Sequence, residues 1–288
     1  MQANKINIKA KDGVDIQAVT FNVGEESVKG IVMVVHGFGE HAGSYNEIIE
    51  TLVNANYACV IFDQRGHGLA DLPPKKRAKL LGIIPSYKCF LDDVEAVAAE
   101  MKRLSPGTPL VLYGHSMGGN VAANYLLKVD QAGFSCAVLE SPWLGLYQKV
   151  SPLVSGTAKI LGGVSRKFAI NNPLSYDDIT NDKEKAKEIE HDPLYHNRIS
   201  FRMFAGINKG CKYAVKNAPK LSAPTYLAYA SNERVVSNQA IRKFHGKCGQ
   251  NVIIKEYTSN HAIHNDENKE SFYKDMIAFL DEHCAARG

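Results

Sequence analysis

Six cysteines are scattered from Cys59 to Cys284, and no two of them stand at Cys-x-x-Cys spacing. That excludes a zinc ribbon, speaks against a disulfide scaffold and suits a reducing compartment. No apolar run approaches the roughly 20 residues that a membrane-spanning helix needs. Met1 to Asp12 holds no apolar stretch of the signal-peptide kind, so the expected location is the cytoplasm. A strong charge of one sign is missing too: the formal net charge is +4, and the basic residues are spread along the chain. Nucleic acid is therefore not an expected partner. The one dense patch, Lys75-Lys76-Arg77 with Lys79 close by, reads as a solvated loop. Internal repeats and low-complexity tracts are absent.

What is present points to a large core. Of 288 residues, 45% are hydrophobic and 22% charged, which fits one large α/β domain or two small ones. The stretch that organises the chain is Pro109 to Gly119. Leu110 to Tyr113 is an apolar run that reads as a buried strand. Gly114-His115-Ser116-Met117-Gly118 then fits the pattern Gly-x-Ser-x-Gly. After it, Val121, Ala122, Tyr125, Leu126 and Val129 recur at helical steps. Strand, sharp turn and helix together make a nucleophile elbow. A serine at the tip of such a turn is forced into strained backbone angles that lift its hydroxyl clear of the sheet. Gly114 and Gly118 are needed because a β-carbon at either would clash as the chain doubles back. The N–H of Met117 opens a helix and can donate to an oxyanion. The five-residue pattern alone would not exclude a Gly-rich turn with an idle serine.

Before the elbow, Ile6–Ala10 and Val14–Phe21 flank Lys11-Asp12-Gly13, a hairpin signal. A third strand, Ile31–Val35, runs into His36-Gly37-Phe38-Gly39-Glu40-His41. Glycines on either side of Phe38 let its amide face a cavity, the second place from which an oxyanion donor is expected. Ser44 to Asn54 reads as a helix opened by a Ser44/Glu47 capping box. Tyr57–Phe62 is a buried strand ending in Asp63-Gln64-Arg65-Gly66-His67-Gly68, where Asp63 is expected to brace a loop under the site. Ser86 to Leu104 is a long helix, and Ser135–Leu139 another apolar strand.

From Trp143 to about Gly210 the strand–helix rhythm stops. Nearly seventy structureless residues inside a compact domain would be improbable, so residues 143–210 are expected to form a helical cap inserted between the two parts of a core, 1–142 and 211–288. Its apolar faces can line a channel or merely pack on the body. Pro224–Ala230 and Val252–Tyr257 are the last two strands, and Lys269–Cys284 closes the chain as an amphipathic helix.

A serine hydroxyl needs a base, and the base needs an orienting carboxylate. His261 sits in the loop after the final strand, where the base belongs, and His264 is its rival. Glu233 is the only acid in the loop after the preceding strand; otherwise it would be a surface charge paired with Arg234. Asp63 precedes the serine, and Asp266 and Glu267 follow His261. All three break the order serine, acid, histidine.

Taken together, His36-Gly37-Phe38-Gly39-Glu40-His41, Asp63-Gln64-Arg65-Gly66-His67-Gly68 and Gly114-His115-Ser116-Met117-Gly118-Gly119 resemble the monoacylglycerol lipase and lysophospholipase-like branch of the α/β-hydrolase superfamily. Ser141-Pro142 and Asp192-Pro193-Leu194 match more weakly. The resemblance implies a mostly parallel sheet of about eight strands with helices on both faces. It also implies a nucleophile at Ser116, a base at His261, and oxyanion donors at the amides of Phe38 and Met117. Two departures stand out: Glu233 occupies a place usually held by Asp, and Leu69-Ala70-Asp71 leads into a basic loop where a serine and small residues are usual. The expected activity is hydrolysis of a small acyl ester, an acylglycerol or lysophospholipid, through an acyl-enzyme, with no metal or organic cofactor. A small-ester carboxylesterase or thioesterase on the same scaffold, or a non-catalytic hydrolase-like binding protein, are the alternatives. Transient membrane-surface contact through the cap and the oligomeric state are left open.

Overall fold

A computed structural model describes residues 3–70, 77–148, 169–171 and 175–284. The expectations placed on Lys75, Lys76 and the apolar residues from Val150 to Phe168 fall outside these. Ten strands are described: β1 (Ala3–Lys9), β2 (Asp15–Phe21), β3 (Ile31–Val35), β4 (Ala58–Phe62), β5 (Leu110–His115), β6 (Cys136–Glu140), β7 (Ala169–Asn171), β8 (Arg198–Ser200), β9 (Thr225–Ala230) and β10 (Val252–Tyr257). Eight of them form one sheet in the order β1-β2-β4-β3-β5-β6-β9-β10. The β1–β2 and β2–β4 pairs are antiparallel and the rest parallel.

The central strands β3, β4, β5 and β6 are buried at every residue, as continuous apolar runs in a parallel sheet covered on both faces must be. Side chains alternate between the faces. Ile31, Met33 and Val35 of β3 join a core under α3 (Lys88–Leu104), α4 (Met117–Lys128), α6 (Phe201–Asn217) and α7 (Asn238–His245). Val32 and Val34 join the opposite core under α1 (Asn46–Asn54) and α8 (Lys269–Cys284). The other two helices among the described residues, α2 (Arg77–Leu80) and α5 (Lys183–His191), are short. No helix among the described residues is long and apolar enough to cross a membrane.

One local expectation is corrected. The Ser44/Glu47 capping box does not form: α1 follows a 3-10 turn, Ala42–Tyr45, whose N-terminus is capped by the ring of His41 accepting from Gly43 N–H. Helix α6 runs through residue 210 and packs on α4. Gly210 lies where a β-carbon would stand 2.7 Å from Asn120 Oδ1, and its carbonyl accepts from Asn124 Nδ2 at 3.2 Å. It is a packing glycine.

The chain leaves β3 to lay β4 on one side and returns to lay β5 on the other. The loops that follow β3 and β5 therefore meet at a crevice beyond the carboxyl ends of the strands, where ligands bind in open α/β sheets.

Candidate active site

Ser116 lies between β5 and α4 with φ 52° and ψ −114°. A left-handed φ at a non-glycine residue stores about 1–3 kcal/mol of strain, and the surroundings enforce it. A β-carbon at Gly118 would overlap the carbonyl oxygen of Val35, and one at Gly114 would stand 2.5 Å from that of Gly118. The Ser116 N–H extends the β5–β6 ladder to the Glu140 carbonyl at 2.9 Å. Ser116 stands at the N-cap of α4, yet its hydroxyl caps no amide, so it is free for another partner.

That partner is His261. Its Nε2 lies 2.8 Å from Ser116 Oγ, and its Nδ1 lies 2.8 Å from Glu233 Oε2. The other Glu233 oxygen accepts the amides of Val235 and Val236 at 2.7 and 3.0 Å. The carboxylate is therefore fully engaged and cannot swing toward Arg234, which reaches Asp178 instead. With Glu233 accepting, the proton sits on Nδ1 and Nε2 faces the hydroxyl as an acceptor. Burial works against charge on His261, but the charge of Glu233 and its hydrogen bond outweigh that and raise the pKa, with smaller help from Glu40 and Glu140. Burial likewise opposes charge on Glu233, and His261 with the two amides draws its pKa below the usual carboxylate range.

Met117 follows the serine directly, and Phe38 lies in the loop after β3. Neither the N–H of Phe38 nor that of Met117 has an acceptor among the described residues. Phe38 N–H is oriented through its own peptide plane. The carbonyl on that plane, Gly37 O, accepts from His36 Nδ1 at 2.7 Å, while His36 Nε2 accepts from Gln64 N–H at 2.9 Å and so fixes the tautomer. Gly37 N–H is taken up by Glu40 and Tyr45. The site thus brings together a serine hydroxyl, an imidazole bonded to it and to a carboxylate, and two amides unpartnered among the described residues.

His264 is engaged elsewhere. It is buried, its Nδ1 and N–H both go to Glu140, and its ring stacks on Tyr45 at 4.7 Å. Asp63 accepts Ala42 N–H and Leu69 N–H, and Asp266 accepts Asn260 N–H and Asn181 N–H, so both acids brace loops. Sequence reasoning missed the roles of Glu40, Tyr45, His115 and Glu140. The one signal was an acid, Glu140, at the end of an otherwise apolar strand. His115, Glu140 and His264 are close enough to share a cation, but Glu140 already accepts from His264 and Tyr113.

Known proteins resemble this chain. The family model described as Serine aminopeptidase, S33 (Hydrolase_4) matches residues 26–268. Phospholipase YtpA of Bacillus subtilis is 27% identical over 256 residues, covering 88% of this chain and 95% of that protein. The monoglyceride lipase of Saccharomyces cerevisiae is 27% identical over 286 residues, covering 90% and 87%. A soluble variant of monoglyceride lipase from that yeast, solved with a substrate analog, superposes with a TM-score of 0.85 at 24% identity, covering 98% and 96%. An uncharacterized abhydrolase domain-containing protein of Dictyostelium discoideum is 27% identical over 254 residues; 87% of this chain matches, but only 26% of that longer protein.

Proposed function

This chain belongs to the Hydrolase_4 family of α/β-hydrolases, in its monoacylglycerol lipase-like branch, and from that premise we propose that it is a carboxylic ester hydrolase working through an acyl-enzyme on Ser116. Ser116 Oγ attacks the ester carbonyl as His261 Nε2 takes its proton. The tetrahedral oxyanion is held by the amides of Phe38 and Met117. As the carbon–oxygen bond breaks, His261 gives the proton to the departing alcohol and leaves an acyl-serine. Water repeats the sequence and releases the acid. Glu233 stays ionised throughout, holding the tautomer and stabilising the transient imidazolium. Each oxyanion donor contributes about 3 kcal/mol to transition-state stabilisation.

The observation that carries this reading is the relay Glu233–His261–Ser116, with both contacts at 2.8 Å. The substrate class we propose is an acylglycerol or lysophospholipid. It is supported by the motifs and by relatives named as a phospholipase and a monoglyceride lipase. Residues 143–210 would serve as the cap, its apolar faces lining the acyl channel. Tyr147 and Ile170, 58% and 46% exposed, give that segment apolar surface for transient contact with a lipid interface. Six free thiols fit work in the cytoplasm. A fluorophosphonate should label the wild type but not Ser116→Ala. Across p-nitrophenyl esters, kcat/KM should rise from acetyl to octanoyl; a maximum at acetyl would defeat the lipid assignment.

A further inference from the structure

The loop from His36 to His41 carries the Phe38 donor and is held from two sides. From within, His36, Glu40 and Tyr45 fix the Gly37 peptide groups. From outside, the holds come from one short stretch of the insertion. His196 N–H donates to Gly39 O at 2.9 Å. The His196 ring stands edge-on to the Phe38 ring, centroids 5.6 Å apart and planes at 84°. Its Nε2–H reaches Gly66 O at 3.1 Å, and its Nδ1 accepts from Arg198 N–H. Four residues earlier, Asp192 Oδ2 lies 2.8 Å from His41 Nε2. Because His41 Nδ1 accepts from Gly43 N–H, the proton of that contact is on Nε2 and Asp192 is the acceptor. Gly39 has φ +79°, and a β-carbon there would overlap the carbonyl oxygen of His196. The two backbones touch so closely that only glycine fits.

We propose that Asp192 and His196 are positioning residues for the oxyanion hole: from the insertion, they clamp the His36–His41 loop so that the Phe38 amide is already aimed where negative charge develops. The inference rests on the ester-hydrolase reading of the same site. A donor that must be reordered at every turnover loses the benefit of preorganisation. The loss falls on the transition state more than on bound substrate, so it appears in kcat rather than KM.

The test uses the full-length protein with p-nitrophenyl octanoate, and octylboronic acid as a probe that forms a tetrahedral adduct on serine. Asp192→Ala and His196→Ala should each lower kcat about ten-fold, a fraction of what outright loss of a donor costs. KM should stay within about two-fold, and boronate affinity should fall in step with kcat. Asp192→Asn, whose amide oxygen can still accept from His41, should restore most of the rate. Hydrogen–deuterium exchange over His36–His41 should quicken in both alanine variants and not in Asp192→Asn. Unchanged kcat, a loss confined to KM, or Asp192→Asn as impaired as Asp192→Ala would overturn the clamp. If the wild type hydrolyses no ester, the functional reading fails, and the exchange rates alone decide whether these residues order the loop; unchanged exchange overturns the clamp.

Discussion

Glu140 takes two hydrogen bonds from a single residue, His264: the backbone N–H at 3.0 Å and the ring Nδ1 at 2.9 Å. The pair ties the end of β6 to the turn just after His261. Glu140 and His264 are both buried. Burial opposes ionisation of Glu140, but the imidazoles of His264 and His115 and the bonds from His264 and Tyr113 outweigh it and hold its pKa at about 2.

Removing one partner of such a buried pair leaves the other uncompensated. Glu140→Ala should therefore lower unfolding free energy by about 3–5 kcal/mol in urea titrations. The sign with pH follows from a depressed carboxylate. Its stabilising contribution is present above the unfolded value near 4.5 and is lost as pH falls toward 2, so the gap between wild type and variant should narrow in acid. His264→Ala should leave serine labelling intact though slower, whereas His261→Ala should abolish turnover. The reverse outcome would reassign the base.

His261 must be neutral to accept the serine proton, and its pKa is raised above the ordinary 6.5 by Glu233 against the pull of burial. The acid limb of kcat/KM should consequently lie above pH 6.5. Glu233→Gln removes the charge and should move that limb downward while cutting the rate on the order of 10³–10⁴-fold, as expected when the imidazole loses its tautomer control. An unmoved limb with near-normal rates would mean that another acid orients the base.

The strain at Ser116 makes a prediction of opposite sign for stability and activity. At φ 52°, glycine is relaxed where serine is not, so Ser116→Gly should abolish labelling yet raise stability by about 1 kcal/mol, seen as a higher Tm. A variant that is both inactive and less stable would show that the hydroxyl's bond to His261 outweighs the backbone strain.

The elements around the serine were legible because their signals are local. The run Leu110–Tyr113, two glycines and a switch to helical spacing put an elbow where β5 meets α4. Glu233 and His261, which lie 2.8 Å apart, could be singled out because each follows a readable strand. What stayed hidden depends on partners distant in sequence. Glu140 and His264 are 124 residues apart, and no pattern in either neighbourhood announces the other. The capping box failed for a related reason. Ser44 and Glu47 stand at the right spacing, but the His41 ring supplies a different cap one turn earlier, and the chain enters α1 through a 3-10 turn. At Gly210, sequence cannot tell a glycine that ends a helix from one that admits a neighbour.

That last distinction can be measured. In an exposed helix, Gly210→Ala would gain about 1 kcal/mol from propensity. Here the new methyl would stand 2.7 Å from Asn120 Oδ1 and 3.0 Å from Asn124 Nδ2, and both side chains are fully buried on α4. Overpacking a site that cannot yield costs about 1–3 kcal/mol, so the substitution should be net destabilising. The strain should also reach the chemistry. Asn120 Nδ2 holds the Trp143 carbonyl at 2.8 Å, and Trp143 N–H holds the Ser116 carbonyl at 2.8 Å. Gly210→Ala should therefore lower kcat as well as Tm. A variant with higher Tm and unchanged kcat would mean that α6 can move off α4 at little cost.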